Sequence, residues 1–137
     1  MDGVVIDVSA CMPWCCEDEA TEASESLLQL AASLVPLHVP SLWPWEMMNA
    51  VAVATRRRRI ATERAGQFFE QIAAFDFRVA PAPSITDFAR ISQLAAAFQL
   101  TAYDAAYLDL AQQLSLPLAT LDEELKKAAI SEGLPLV

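Results

Sequence analysis

Five short apolar runs constrain this chain most: "VVID" (4–7), "PLHVP" (36–40), "FRVAPAP" (77–83), "LPLAT" (116–120) and "LPLV" (134–137). Each is too short to be a helix, and no two-residue hairpin turn joins one to the next. The stretches between them carry apolar residues at helical spacing. Strands connected through helices lie parallel, because a parallel pair needs a long crossover. A parallel sheet is covered on both faces, which suits strands that are apolar throughout. The expected fold is therefore α/β: a three-layer α/β/α domain whose short central parallel sheet of four to five strands is flanked by about seven helices.

Local signals divide the intervening chain. "SACMPWCC" (9–16) follows the first run directly, with Ser9 near its N-cap. "EDEATEASESLLQLAASL" (17–34) places acids at the positive end of a second helix. "SLWPWEMMNAVAVATRRRR" (41–59) offers Ser41 as a cap and has Pro44 in its first turn, where proline is tolerated. "TERAGQFFEQIAAF" (62–75) is a fourth helix. "SITDFARISQLAAAFQL" (84–100) and "TAYDAAYLDLAQQL" (101–114) open with Ser84-x-x-Asp87 and Thr101-x-x-Asp104, acidic variants of the capping box. "LDEELKKAAISEG" (121–133) is the last helix.

At 137 residues, 55% of them hydrophobic, the chain is expected to form one domain with a core of its own. A net charge of −9 argues against a general nucleic-acid coat, which needs a basic footprint, and suits divalent cations or a basic partner. Cys11, Cys15 and Cys16 are odd in number and crowded. With no basic region ahead of the short apolar start, they are expected to be free thiols in a reducing cytoplasm. No apolar run reaches the ~20 residues that span a membrane.

Function is to be sought in the carboxylates. Glu46 is the only ionisable residue in "LWPWEMMNAVAVA" (42–54), and a lone carboxylate in apolar surroundings calls for a partner. Asp7 ends the first run, Asp122 follows the fourth by two residues, and Asp104 and Glu46 open helices. Open α/β sheets place their sites beyond the carboxyl ends of the strands, where strand order reverses. Four acids meeting there would form a hard-oxygen site for Mg²⁺ or Mn²⁺. Taken singly, Asp7 and Asp122 serve equally as helix caps, and Asp104 as the second half of a capping box.

The same residues resemble a known family, the PIN-domain ribonucleases, and within it the VapC-type toxins of bacterial toxin–antitoxin pairs. "VVIDVSA" resembles the opening strand with its first acid, Asp7, and a nearby Ser9. "VPSLWPWEMMNAV" resembles the second motif, with Glu46 and Asn49; "LTAYDAAYLDLA" the third, with Asp104; "LPLATLDEELKKAA" the fourth, with Asp122. The resemblance implies a single PIN domain over residues 1–137, with the helical pair at about 42–75 as a protruding arm. It implies a metal-dependent endoribonuclease using one or two Mg²⁺ or Mn²⁺ ions. Asp7, Asp104 and Asp122 would be central ligands, and Glu46 a ligand or the group that positions a water. Asn49 could orient Glu46 or a phosphate, while Ser9 and Thr120 are either supports for the acids or plain caps. Implied partners are RNA, an antitoxin protein and a second copy of the chain. The chain departs from the family in "CMPWCC", with Pro13 inside a helix, and in the second tryptophan of "WPWE".

Three features carry competing readings. "RRRR" (56–59) is either a solvated helix end or a clamp for RNA phosphates or an acidic antitoxin segment. The single histidine, His38, lies in a strand and reads as structural rather than ligating. A receiver domain would share the acidic pocket but needs a lysine after its last strand, and "LPLV" has none. The alternative from another class is a non-catalytic PIN-like scaffold that binds a partner or RNA.

Overall fold

A computed structural model describes the chain from Met1 to Val137. Its sheet has four strands, β1 (Val4–Ile6), β2 (Leu37–Val39), β3 (Phe77–Val79) and β4 (Leu118–Ala119), all parallel in the order β3-β2-β1-β4. Between them run seven α-helices: α1 (Val8–Cys15), α2 (Glu22–Ala32), α3 (Trp43–Arg56), α4 (Thr62–Ala73), α5 (Phe88–Phe98), α6 (Ala102–Leu114) and α7 (Glu123–Ser131). The architecture is the expected three-layer α/β/α.

β1 is completely buried along Val4, Val5 and Ile6, as a central strand covered on both faces must be. Leu37 and Leu118 flank it in register, and Leu108 of α6 and Leu125 of α7 complete the same core without exposure. Each such side chain contributes about 1.5–3 kcal/mol by leaving water. On the α1 side, Phe68 of α4 is fully buried and Trp14 meets Phe75 edge-on with centroids 5.8 Å apart. Trp43, at the start of α3, stacks on Phe77 of β3 at 4.5 Å. That contact fixes the end of α3 that carries Glu46.

The three cysteines are free and buried within the core. Burial pushes the Cys11 thiol well up and the Cys16 thiol up to about 11, so both stay protonated and act as small hydrophobes. His38 packs on Gly3, where a Cβ would lie 3.1 Å from its ring. Burial lowers its pKa, and it stands apart from the four acids.

Several boundaries differ from the expectations, each for a local reason. Asp7 lies outside β1 and is itself the N-cap of α1, so Ser9 falls inside the first helical turn. Ser41 does not cap α3. It sits in a turn closed by Trp43 N–H to the Pro40 carbonyl, and the helix starts at Trp43 without a side-chain cap. Residues 17–34 split into a short 3₁₀ turn (Glu17–Glu19) and α2, because Thr21 and Ser24 form a reciprocal capping box that restarts the helix. The Ser84–Asp87 box is made, but its first turn is 3₁₀. The terminal run contributes one bridge, Leu136 to Leu118, rather than a strand. The arginine run leaves the helix after Arg56, and Arg58 turns into the left-handed region at φ 57°.

Candidate active site

The strand order decides where the acids meet. From β1 the chain steps outward through β2 to β3, then returns to the other side of β1 with β4. Consecutive connections therefore diverge between β1 and β4, opening a crevice beyond their carboxyl ends. Asp7 follows β1 directly, and Thr120 and Asp122 follow β4. Glu46 and Asp104 arrive in the first turns of α3 and α6. All four acids thus sit at helix N-termini, whose positive dipole ends offset part of the like charge gathered there.

A hydroxyl latch closes the floor of the crevice. Ser9 Oγ donates to Asp7 Oδ1 at 2.6 Å and accepts the Leu121 N–H at 2.9 Å. Thr120 Oγ1 donates to Asp7 Oδ2 and accepts the Asp122 N–H at 3.0 Å. The Ala10 N–H adds a third bond to Asp7, at 3.0 Å. Neither Ser9 nor Thr120 caps a helix. Together they immobilise the buried Asp7 carboxylate and tie the β1–α1 connection to the β4–α7 connection.

The other acids are held differently. Asp122 caps α7 through Oδ1, bonded to the Leu125 N–H at 2.9 Å, and its side chain faces solvent. Thr101 caps α6 by accepting the Asp104 N–H at 3.1 Å, but Asp104 does not return the bond. Half of the expected box is therefore unused, and the Asp104 carboxylate is left for the crevice. Glu46 Oε1 accepts a 2.6 Å bond from the Tyr107 hydroxyl. Tyr107 escaped the sequence reading. Its signal was its place three residues after Asp104, on the same face of α6.

Three of the acids, Asp7, Glu46 and Asp104, have raised pKa values. Burial is the main cause for Asp7, opposed by Ser9, Thr120 and Ala10 and reinforced by the charge of Asp122. Burial also lifts Glu46, against the Tyr107 bond and with the charges of Asp104 and Asp7. Asp104 is lifted by burial, then by Asp122 and Asp7. None of the four has a lysine or arginine partner, although seven ion pairs form elsewhere. The donors are all hard oxygens, and the uncompensated charge fits a divalent cation. No three of them stand close enough to form a ready-made cage. That still suits Mg²⁺, which keeps several waters and takes one or two carboxylates directly.

The remaining candidates lie outside this cluster. Asn49 is exposed on α3 and makes no hydrogen bond; Tyr107, not Asn49, holds Glu46. Arg56 ends α3, about 15 Å along the axis from Glu46 at ~1.5 Å per residue, and Arg57, Arg58 and Arg59 follow in the turn beyond it. Lys126 and Lys127 pair with Glu123 and Glu124 on their own helix.

The model of the family described as "PIN domain" matches residues 4–131. The chain belongs to the PIN domain family. PIN domains are generally nucleases. Among solved structures, this PIN domain resembles PAE2754 from Pyrobaculum aerophilum at 22% identity and TM-score 0.68, covering 92% of this chain and 84% of that one. It also resembles FitAcB from Neisseria gonorrhoeae at 17% identity and TM-score 0.63, covering 97% of this chain and 95% of that one. At these identities the likeness establishes the fold. No curated protein matches the sequence.

Proposed function

We propose that this PIN domain is a divalent-metal-dependent endoribonuclease that hydrolyses RNA phosphodiester bonds and acts as the toxin of a toxin–antitoxin pair. The observation that carries the reading is the crevice between β1 and β4, where four carboxylates without a basic partner gather at four helix N-termini. The toxin role rests on the four motifs, present in order, that resemble the VapC-type members of the family.

Asp7, Asp104 and Asp122, with Glu46, would hold Mg²⁺ or Mn²⁺. When bound, such a cation supplies a nucleophile from water at neutral pH and neutralises charge on the leaving oxygen. The chain does the rest. Ser9, Thr120 and the Ala10 N–H keep Asp7 in one orientation, so the site forms without reorganising its most buried ligand. Tyr107 holds Glu46, fixing its carboxylate so that it would bind the ion or position a water. The positive ends of α1, α3, α6 and α7 favour an incoming phosphate. Attack by water with departure of the ribose 3′-oxygen would leave a 5′-phosphate and a 3′-hydroxyl, with no part for the 2′-hydroxyl. An antitoxin and a second copy of the chain are the protein partners this role requires. An apolar cavity of about 430 Å³ between the starts of α3, α5 and α6, lined in part by Leu42, Phe88, Ile91 and Tyr103 and by none of the four acids, offers surface for one of them.

The deciding experiment is cleavage of total cellular RNA with and without Mg²⁺ or Mn²⁺, run beside Asp104→Asn. That variant is preferred to Asp7→Ala because Asp104 caps nothing. Metal-dependent cleavage, lost in the variant and leaving 5′-phosphates, is expected. Cleavage that ignores metal or mutation would sink the mechanism, and a folded chain that cuts no RNA would favour the scaffold.

A further inference from the structure

The nine lysines and arginines of this acidic chain are unequally employed. Arg59 pairs with Asp18 and Glu19, and Arg64 donates to the Trp14 carbonyl. Arg78 and Arg90 pair with Asp76 and with Asp87 and Asp109. Lys126 and Lys127 pair within α7. Only Arg56, Arg57 and Arg58 have no partner, and they are consecutive and exposed. Every free cation in a chain of net charge −9 therefore stands on one turn.

That turn is linked to the carboxylate crevice by a single helix face. Trp43, Met47, Val51 and Ala54 bury one side of α3. The opposite side follows the spacing i, i+4, i+7, i+11 through Trp45, Asn49, Ala52 and Arg56. Trp45 is next to Glu46 and is 74% exposed, a large aromatic surface left in water without an internal role. Glu46 and Arg57 share the adjoining stripe of the helix.

We propose that the outer face of α3 is a track for single-stranded RNA, on which Trp45 stacks a base beside the cut and Arg56, Arg57 and Arg58 hold phosphates about 16 Å away. Aromatic platforms for bases combined with cations for the backbone are what single-strand binding requires. An acidic peptide would use the arginines but not the tryptophan ring. At ~3.4 Å per nucleotide of stacked strand, the separation spans about five nucleotides. The acidic remainder of the surface repels RNA, so this track sets where the strand can lie. The proposal rests on the ribonuclease reading and adds a length requirement for the substrate. It also divides the arginine run: Arg59 fastens the α3–α4 turn to the 3₁₀ turn and stays off the strand.

The test separates binding from hydrolysis. Binding of fluorescein-labelled oligouridylates of about three and twelve nucleotides is measured in EDTA, with circular dichroism to confirm folding. The triple variant Arg56→Ala/Arg57→Ala/Arg58→Ala should bind the longer strand at least tenfold more weakly. It should also lower the slope of log affinity against log salt by about 2. The loss should shrink as the strand is shortened. Trp45→Phe should keep most of the affinity, whereas Trp45→Ala should lose about tenfold. Trp14 and Trp43 are buried, so quenching of intrinsic fluorescence by the RNA reports on Trp45. A folded triple variant with unchanged affinity and salt slope overturns the proposal, as does a variant that loses a protein partner while binding RNA normally. Metal-dependent cleavage is scored in parallel; its absence alongside intact, length-dependent binding would remove the nuclease reading and leave the track standing.

Discussion

The bond between Tyr107 and Glu46 makes the sharpest prediction. Tyr107→Phe removes one oxygen from a buried ring and leaves the packing of α6 unchanged. At 2.6 Å, the hydroxyl donates to a carboxylate that burial already disfavours as an anion. Tyr107 is the donor, because burial and then its bond to Glu46 hold its own pKa above the ordinary tyrosine value. Hydrogen bonds to charged groups contribute about 1.5–3 kcal/mol. Glu46 is half exposed, so water replaces part of the loss and the lower end applies. About 1.5 kcal/mol corresponds to roughly one unit of pKa. The Glu46 carboxyl, followed by carbon-detected NMR in metal-free buffer, should therefore titrate about one unit higher in the variant. The melting temperature near pH 8 should fall by about 5 °C. Near pH 4, where Glu46 is largely protonated in both proteins, the difference should narrow. An unchanged Glu46 titration, with the fold intact, would show that the bond does not hold the carboxylate and would remove Tyr107 from the site.

Three other outcomes follow from the same geometry. Asp104→Asn should stabilise the metal-free chain by about 0.5–1 kcal/mol in urea denaturation while abolishing cleavage, since the carboxylate caps nothing and is repelled by Asp122 and Asp7; destabilisation would mean that it has an unrecognised structural partner. Asp7, Glu46 and Asp104 all have raised pKa values, so between the ordinary carboxylate range and those values the native state holds protons the unfolded chain has lost. Stability in EDTA should therefore fall as pH rises through that window, and Mg²⁺ should restore it on the alkaline side; a flat profile with no metal response would contradict a shared pocket. Phe68→Ala should cost about 3–5 kcal/mol by thermal unfolding, because a fully buried ring that joins α4 to the core leaves a cavity; a cost below 1 kcal/mol would show that α4 packs independently.

Much of this arrangement was legible in the sequence because it is dictated locally. Apolar runs of strand length separated by helical periods specify a parallel sheet, and Asp7 and Asp122 are found by their distance from those runs. What escaped depends on pairs far apart in the chain. The latch from Thr120 to Asp7 spans 113 residues and the bond from Tyr107 to Glu46 spans 61, so no window of sequence contains either. Arg59 looked identical to its three neighbours until Asp18 and Glu19 were found against it. The misplaced cap at Ser41 has a smaller cause, since Pro40 closes a turn one residue before the helix can start. The unreturned half of the Thr101–Asp104 box is the most informative miss. The local rule predicted a bond, and its absence leaves a carboxylate facing the crevice.

Two of the four acids also do ordinary structural work, and this has an evolutionary consequence. Asp7 and Asp122 cap α1 and α7, so losing either costs helix stability as well as chemistry. Glu46 caps nothing but accepts the Tyr107 bond, so its loss leaves a buried hydroxyl without its partner. Asp104 caps nothing and accepts no bond, and a neutral substitution there relieves repulsion. A lineage released from the need to cut RNA would drift first at Asp104 and keep the other three acids for folding. In a descendant of this chain, Asp7 and Asp122 would therefore be poor witnesses of activity, and the state of Asp104 would be the informative sign of a working nuclease.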